Sequence, residues 1–240
     1  MDDTIIEFKN VSMHFECVRR KYGLKSMLLH VVQYFKDKKN KKTFTALDNV
    51  SFAIRKGERV GIIGHNGCGK TTTLSLIGGV FPPSDGEVVV NGRVSMMLAL
   101  GAGFNKQLSG RDNIILNGVL QGKTRAEMRD LMDDIISFAA LGDFIDAPLY
   151  TYSSGMLARI GFGVATAIKP DILLVDEVMA VGDANFKTKC KERIDGLLRA
   201  GTTLILVSHN SSDIKTYCNR VIKLDHGKVV CDERLELDKT

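Results

Sequence analysis

The sequence lacks any apolar run long enough to form a membrane-spanning helix. Its longest stretch without a charged residue, 71–84, is too short to cross a bilayer and contains two prolines. The N-terminus also lacks the basic start and apolar core of a secretory signal, because acidic residues follow the first methionine directly. We therefore expect a chain that stays in the cytosol and has no membrane segment of its own.

Cysteine is sparse and is not spaced for a disulfide framework or a zinc site. The cysteines are odd in number, lie far apart and include no CxxC pair. They are Cys17, Cys68, Cys190, Cys218 and Cys231. We expect reduced thiols, most of them buried.

Composition excludes disorder, and the charge is local rather than general. The 240 residues are 44% apolar and 25% charged, as is ordinary for one large folded domain. Residues 16–43 hold nine lysines and arginines against Glu16 and Asp37, a local charge of +7 within a net charge of +5, so the rest of the chain sums to −2. This distribution gives little support to a nucleic-acid partner.

The apolar pattern predicts an α/β fold with a parallel core. Short β-branched runs followed by helix-like sequence are typical of buried parallel strands. They occupy residues 59–64, 171–177 and 202–210. Alternating runs at 4–15 and 46–54 predict an N-terminal antiparallel β subdomain, and apolar residues three and four apart predict a helical subdomain at about 105–165. Residues 220–233 resemble a closing hairpin with Gly227 in its turn.

Residues 64–71, GHNGCGKT, fit the phosphate-loop (Walker A) pattern G-x-x-x-x-G-K-[ST] between a predicted strand and a predicted helix. The glycines let successive N–H groups point at phosphate oxygens, Lys70 reaches the terminal phosphates, and Thr71 can hold Mg²⁺. We therefore expect the chain to bind ATP with Mg²⁺. The candidate nucleotide-binding residues are Gly64, His65, Asn66, Gly67, Cys68, Gly69, Lys70, Thr71 and Thr72.

Two further strand ends supply candidate catalytic residues. Asp176 and Glu177 follow an apolar strand, at the sheet edge where open parallel sheets place ligands. We assign Asp176 to Mg²⁺ and Glu177 to the base that polarises the attacking water. His209 ends another such strand and is either a structural residue or a ligand of the γ-phosphate that orients Glu177.

The segment TYSSGML, residues 151–157, precedes a helical apolar pattern and has two interpretations. Ser153 or Ser154 can cap the helix by accepting a hydrogen bond from a first-turn N–H. Alternatively, the helix start can bind an anion through its free N–H groups and its dipole.

These motifs, in this order, resemble the ATP-binding domain of ABC transporters over nearly the whole chain. The resemblance implies an ABC-type P-loop NTPase, a single domain over 1–240, in which two copies pack head to tail. Ser153, Ser154 and Gly155 would then meet the γ-phosphate held by the other copy, and Asp183 would communicate across the dimer. Phe15 matches the position that stacks on adenine, although it is equally suited to the core, and the rival aromatics are Tyr22, Tyr34 and Phe44.

Four segments are similar to the polysaccharide-exporting branch of that family: YSSGM, LGAGF, LSGRDNI and DEVMAVGD. The resemblance implies an ATPase that pairs with a polytopic membrane permease on the cytoplasmic face of the bacterial inner membrane and moves lipid-linked O-antigen, capsule or teichoic acid chains, with O-antigen favoured. Some members carry a further C-terminal carbohydrate-binding domain. We expect either a member without that domain or a shortened chain, because the sequence ends at Thr240.

One departure concerns the loop that in this family contains a glutamine. Leu100 stands at or near that place, and Gln107 lies too far along to be its equivalent. We therefore assign no glutamine to this role.

The basic segment 19–43 is predicted to contain a short amphipathic helix followed by lysines, inserted between two strands. It can pack on its own domain, lie at the permease interface near the lipid-linked substrate, or, least favoured, bind nucleic acid.

Other functions remain open at this point: an ABC ATPase for another cargo, or a soluble ABC protein acting on nucleic acid or ribosomes. The latter usually has two cassettes or a long coiled coil, and the sequence has neither.

Overall fold

The computed structural model describes residues 3–16, 43–97, 103–176, 183–208 and 210–235. Within these ranges the chain forms an antiparallel sheet, a mostly parallel sheet and a set of helices. The strands are β1 (Thr4–Glu16), β2 (Thr43–Arg55), β3 (Arg59–Ile63), β4 (Asp85–Val90), β5 (Val94–Met96), β6 (Ile172–Asp176), β7 (Thr203–Val207), β8 (Arg220–Asp225) and β9 (Lys228–Arg234).

The helices lie between these strands, and most of them follow β5. They are α1 (Lys70–Ile77), α2 (Gly110–Leu120), α3 (Arg125–Asp130), α4 (Met132–Ala139), α5 (Ser154–Ala167), α6 (Ala184–Arg199) and α7 (Ser211–Tyr217). Two 3₁₀ turns, Gly142–Asp146 and Leu149–Thr151, lead from α4 to α5.

The N-terminal sheet is antiparallel and, among the described strands, has the order β2-β1-β4. Its inner face is apolar because alternate residues of β1 point into the core, as the alternating sequence pattern predicts. Phe8 and Phe52 are partners across β1 and β2, and their rings stack with centroids 4.4 Å apart. The predicted antiparallel subdomain is confirmed.

β1 and β2 remain paired up to the residues that flank the basic segment. Glu16 is the register partner of Thr43, so the chain leaves and re-enters this hairpin at adjacent positions. The predicted amphipathic helix within 19–43 lies outside the described residues.

The second sheet has the order β5-β6-β7-β3-β8-β9 in the part of the chain that the structure describes. Neighbouring strands from β5 to β8 are parallel, and β9 returns antiparallel to β8 across the turn at His226 and Gly227. The buried runs of β6 and β7 explain this arrangement, since parallel strands are covered on both faces. β3, β7 and β6 are parallel neighbours, so their carboxyl ends lie at one edge of the sheet.

The helices α2 to α5, which lie between β5 and β6 along the chain, form a hydrophobic core of their own. Ile114, Ile135 and Ile160 are fully buried there. Gly163 lets α5 approach α4 closely, because a Cβ at this position would lie 3.2 Å from Ile135 Cγ2. The helical subdomain of the predicted fold class is therefore present. β5 is shorter than the apolar run 94–104 suggests, and residues 98–102 are outside the described ranges.

Among the residues that the structure describes, no helix has both the length and the apolar character needed to span a membrane.

Candidate nucleotide-binding site

The phosphate loop connects the end of β3 to the start of α1 and is confined by two neighbouring backbone segments. Gly64 has φ 150°, and a Cβ there would overlap the carbonyl oxygen of Leu224 in β8. Gly69 has φ 110°, and a Cβ there would lie 2.7 Å from the carbonyl oxygen of Ala46 in β2. Both positions require glycine for conformation and for space.

Lys70 is folded back into the loop that precedes it. Its Nζ donates hydrogen bonds to the carbonyl oxygens of Gly64, at 2.8 Å, and His65, at 3.0 Å, and the residue is only 7% exposed. A buried ammonium group held by two carbonyl oxygens is a positive charge fixed in position beside the backbone of the loop. This arrangement is suited to the terminal phosphates of a nucleotide.

The first turn of α1 has no side-chain cap from any described residue, because Gly69 occupies the N-cap position. Its free N–H groups and the positive end of the helix dipole therefore point into the loop. An anion bound there would take the place that a capping side chain fills in other helices.

A cleft of about 310 Å³ lies in front of the loop. Thr71 and Asp176 both line it, which brings the loop and the carboxyl end of β6 to one place, as the sequence predicts. A hydroxyl and a carboxylate are hard oxygen donors of the kind that Mg²⁺ prefers, so these residues fit that ion. The cleft is lined by Phe44, Ala46, Asn66, Gly67, Gly69, Lys70, Thr71, Thr72 and Asp176.

Among the described residues, the aromatic side chain in the cleft lining is that of Phe44, whereas sequence analysis favours Phe15 for the adenine base. Phe15 is 38% exposed and packs edge to face on Phe81, with ring centroids 5.8 Å apart. Phe15 and Phe44 are register partners, so both rings stand at the same end of the β1–β2 hairpin. The adenine contact stays a prediction, with Phe44 now a stronger rival.

The start of α5 is capped and yet exposed. Ser153 is the N-cap, and its hydroxyl oxygen accepts a hydrogen bond of 3.2 Å from the Met156 N–H, so the capping interpretation holds for this residue. A hydroxyl that accepts one bond retains its proton as a donor, so the cap does not exclude anion binding. Ser154 is exposed as well.

The turn before α5 is anchored by Tyr152. This residue is buried against the helical core, and its hydroxyl donates to the carbonyl oxygen of Phe144. Burial raises the pKa of the Tyr152 phenol, which keeps it a neutral donor. At Gly155 a Cβ would meet, among the described atoms, only Ser153 Oγ at 3.8 Å, so nothing described in this chain requires glycine there.

Asp183 links the start of α6 to α5. Its carboxylate accepts hydrogen bonds from the Phe186 N–H, at 2.9 Å, and from Arg159 of α5, at 2.6 Å. The backbone bond from Phe186 is the main reason that the pKa of Asp183 is lowered, and Arg159 contributes further. The guanidinium carbon of Arg159 also lies 4.8 Å from the centre of the Phe186 ring. Sequence reasoning missed Arg159; its position one helical turn beyond Gly155 was the available signal.

The two predicted catalytic residues, Glu177 and His209, lie outside the described residues, as does Leu100. Glu177 directly follows Asp176, and His209 follows shortly after β7, whose last residue is the register partner of Asp176. Their roles stay predictions.

These features define an α/β domain of the phosphate-loop nucleotide-binding class. At the edge of a parallel sheet, one cleft brings together a glycine-confined loop, a buried lysine, a helix start without a side-chain cap and a carboxylate. A protein-family model described as ABC transporter matches residues 47–180.

Comparison with known proteins narrows this class. The chain is 42% identical over 228 residues to the O-antigen export system ATP-binding protein RfbB of Klebsiella pneumoniae, covering 95% of this chain and 92% of that protein. It is 40% identical to the teichoic acids export ATP-binding protein TagH of Listeria monocytogenes, covering 92% of this chain and 66% of the relative. The fold matches the ATP-binding cassette MJ0796, solved as a post-hydrolysis dimer bound to ADP and Pi, with a TM-score of 0.74, 22% identity and coverage of 96% and 99%. The chain belongs to the ABC transporter ATP-binding family.

The aromatic contact to adenine can be tested by substituting each ring separately. Loss of a base–aromatic stack costs about 1–3 kcal/mol, so the alanine variant of the stacking residue should bind ATP roughly 5- to 150-fold more weakly. Isothermal titration of Phe15→Ala and Phe44→Ala gives the two dissociation constants, and GTP serves as a comparison ligand. The Phe15 prediction is wrong if only Phe44→Ala weakens binding.

Proposed function

We propose that the chain is the ATP-hydrolysing subunit of a bacterial ABC exporter that moves lipid-linked polysaccharide, with O-antigen as its cargo class. The observation that carries this proposal is the cleft in which Lys70, Thr71 and Asp176 meet, on a chain similar to an O-antigen export protein along nearly its whole length. The similarity to a teichoic acid export protein supports the wider class of exported glycans.

Three groups of residues have separate roles in ATP hydrolysis. The loop amides and Lys70 hold the β- and γ-phosphates and stabilise the charge that develops on the transferred group. Thr71 and Asp176 would hold Mg²⁺, which neutralises phosphate charge when bound. Glu177 acts as the base that polarises the attacking water, and His209 orients Glu177 and contacts the γ-phosphate.

The start of α5 acts in trans, on the nucleotide held by a second copy. Three observations support this role: the Ser153 hydroxyl keeps a donor, Ser154 is exposed, and Gly155 leaves room that the described part of its own chain does not fill. A related cassette forms a dimer with bound ADP and Pi. Because the γ-phosphate would then join the two copies, its loss removes contacts from both and lets the dimer reopen.

The dimer would work on the cytoplasmic face of the inner membrane, bound to a polytopic permease. In this arrangement the chain is peripheral, and closing and reopening of the dimer drive the permease. The bond between Asp183 and Arg159 supports a role for Asp183 at the dimer contact, because it links the start of α6 to α5, the helix that Ser153 caps.

The trans role of α5 can be tested in a hydrolysis-dead background. The Glu177→Gln variant should bind ATP, form a stable dimer and lose ATP hydrolysis. Size-exclusion chromatography with light scattering measures the dimer, and phosphate release measures hydrolysis. Adding Gly155→Asp should abolish that dimer, because the new carboxylate would face the partner's phosphate. An aspartate in the first turn suits the helix dipole, so the free energy of unfolding of the monomer should not fall.

A Glu177→Gln protein with near-normal ATPase would refute the base assignment. If the double variant dimerises with ATP as well as the single variant does, α5 acts only as a capped helix.

The exporter function can be tested with the chain reconstituted together with its membrane subunit. We expect lipid-linked O-polysaccharide to stimulate ATP hydrolysis, and Lys70→Ala to abolish both nucleotide binding and transport. Hydrolysis is measured as phosphate release from proteoliposomes that contain the glycan, its lipid carrier alone, or neither. Equal rates in all three would contradict polysaccharide export while leaving the ATPase assignment intact.

The role of the basic segment can be tested by closing the β1–β2 hairpin directly. Because Glu16 and Thr43 are register partners, an Asn-Gly turn in place of 17–42 should join the strands without disturbing their pairing. We propose that residues 19–43 contact the permease near its substrate entrance, so ATP binding should survive and export should fall. Export that continues at the normal rate would rule out the permease contact.

A further inference from the structure

Three side chains with metal-binding atoms meet beside the phosphate loop, outside the cleft that Lys70, Thr71 and Asp176 line. They are His65, in the loop itself, and Asp225 and His226, at the end of β8 and in the turn that follows. One ligand atom from each lies within 4.8 Å of the others. Sequence analysis gave His226 and Asp225 no role, because they are far from His65 along the chain.

The separations are close to those of ligands around one ion. His65 Nε2 lies 2.9 Å from Asp225 Oδ1, and His226 Nε2 lies 3.9 Å from the same oxygen. The two imidazole rings are 4.9 Å apart between centroids. Tetrahedral ligands at metal distances of about 2.0–2.1 Å are separated by roughly 3.3 Å, so small side-chain rotations would complete the set.

The hydrogen bonding of His65 directs its Nε2 toward Asp225. Its Nδ1 lies 2.8 Å from the carbonyl oxygen of Asn66, which can only accept, so Nδ1 carries the proton. In the neutral ring Nε2 then carries the lone pair that a metal ion would take, and it faces a carboxylate oxygen that can bind the same ion. Without an ion, a proton on Nε2 joins the two groups as a hydrogen-bonded ion pair. A ring N–H bonded to a backbone carbonyl is also the usual support of a metal-bound histidine.

The backbone holds the two halves of this cluster in fixed positions. The Gly227 N–H donates to the carbonyl oxygen of Cys68 at 3.1 Å, and Gly64 packs directly on Leu224. The β8–β9 turn and the phosphate loop therefore form one unit around His65. The backbone positions of the three residues are therefore fixed before an ion binds, so that only their side chains have to adjust.

We propose that His65, Asp225 and His226 form a binding site for a divalent transition-metal ion of the Zn²⁺ type. Two imidazoles and one carboxylate favour zinc, cobalt or nickel over Mg²⁺, which prefers oxygen ligands. The side chains of His65 and Asp225 are 48% and 46% exposed, so water completes the coordination and the ion can exchange. The site is independent of the proposed exporter function.

Cobalt is the probe for this site, because its visible absorption reports the ligands. The purified full chain, free of nucleotide and Mg²⁺, is titrated with Co²⁺. We expect an absorption typical of a four-coordinate nitrogen and oxygen site, displaced by Zn²⁺ but not by Mg²⁺. Removing one ligand should cost at least as much as removing an outer-shell partner, so His226→Asn should weaken binding by about tenfold or more.

Asparagine is chosen because His226 has φ 45°, a conformation that asparagine tolerates. Asp225→Asn is the second variant and decides the question if His226→Asn does not fold, which circular dichroism will show. The matched control is His14→Asn: His14 Nε2 also lies near a carboxylate, Asp85, at 3.5 Å, but is not part of a described three-residue cluster. His65 is left unchanged because it belongs to the phosphate loop.

Binding that is equal in the wild type, His226→Asn and Asp225→Asn overturns the proposal, as does a cobalt spectrum dominated by a thiolate band. Displacement by Mg²⁺ as effective as by Zn²⁺ would also overturn it. Weakened binding in both variants, with the His14→Asn protein unchanged, supports it.

Discussion

The Lys70 ammonium group, bound by two carbonyl oxygens of its own loop, is the charge around which the site is organised. It can stay in place only because the loop is held between β2 and β8, through the close contacts at Gly64 and Gly69. The same contacts join the antiparallel sheet to the parallel one. The phosphate loop is thus a structural junction as well as a binding element, and a change in either sheet would reach the lysine through it.

The two helix starts of the site differ in a way that matches their proposed partners. At α1, Gly69 supplies no side chain, so the backbone amides themselves face the loop. At α5, Ser153 satisfies one amide and leaves a hydroxyl donor on the surface. A phosphate bound inside the cleft of one chain can be held directly by the backbone amides of that chain. A phosphate bound to a second copy has to be contacted by surface groups that are already stable in solvent.

The alternation of buried runs and helical patterns was sufficient to predict an α/β core with a parallel sheet, because strand and helix periods differ. The ABC-type arrangement of that core was predicted from the resemblance of the motifs to a known family. The meeting of Thr71 and Asp176 also followed, since parallel strands end at one edge. The sequence could not reveal that Phe44 lines the cleft, because this depends on the register of β1 against β2. Arg159 was missed although it lies one helical turn beyond Gly155, because that spacing does not identify Asp183 as its partner. The His65 cluster was missed because its members are distant in sequence, and local periodicity carries no information on such contacts.

The pairing of Glu16 with Thr43 has a consequence for how this scaffold can vary. When the two ends of a segment are held next to each other, the entropic free-energy cost of closing the loop grows only with the logarithm of its length, by about 0.6 kcal/mol per doubling. The connection between Glu16 and Thr43 is therefore a position where the protein can gain, lose or exchange a segment at small thermodynamic cost. Cargo-specific features could diverge there while the hydrolytic centre stays the same.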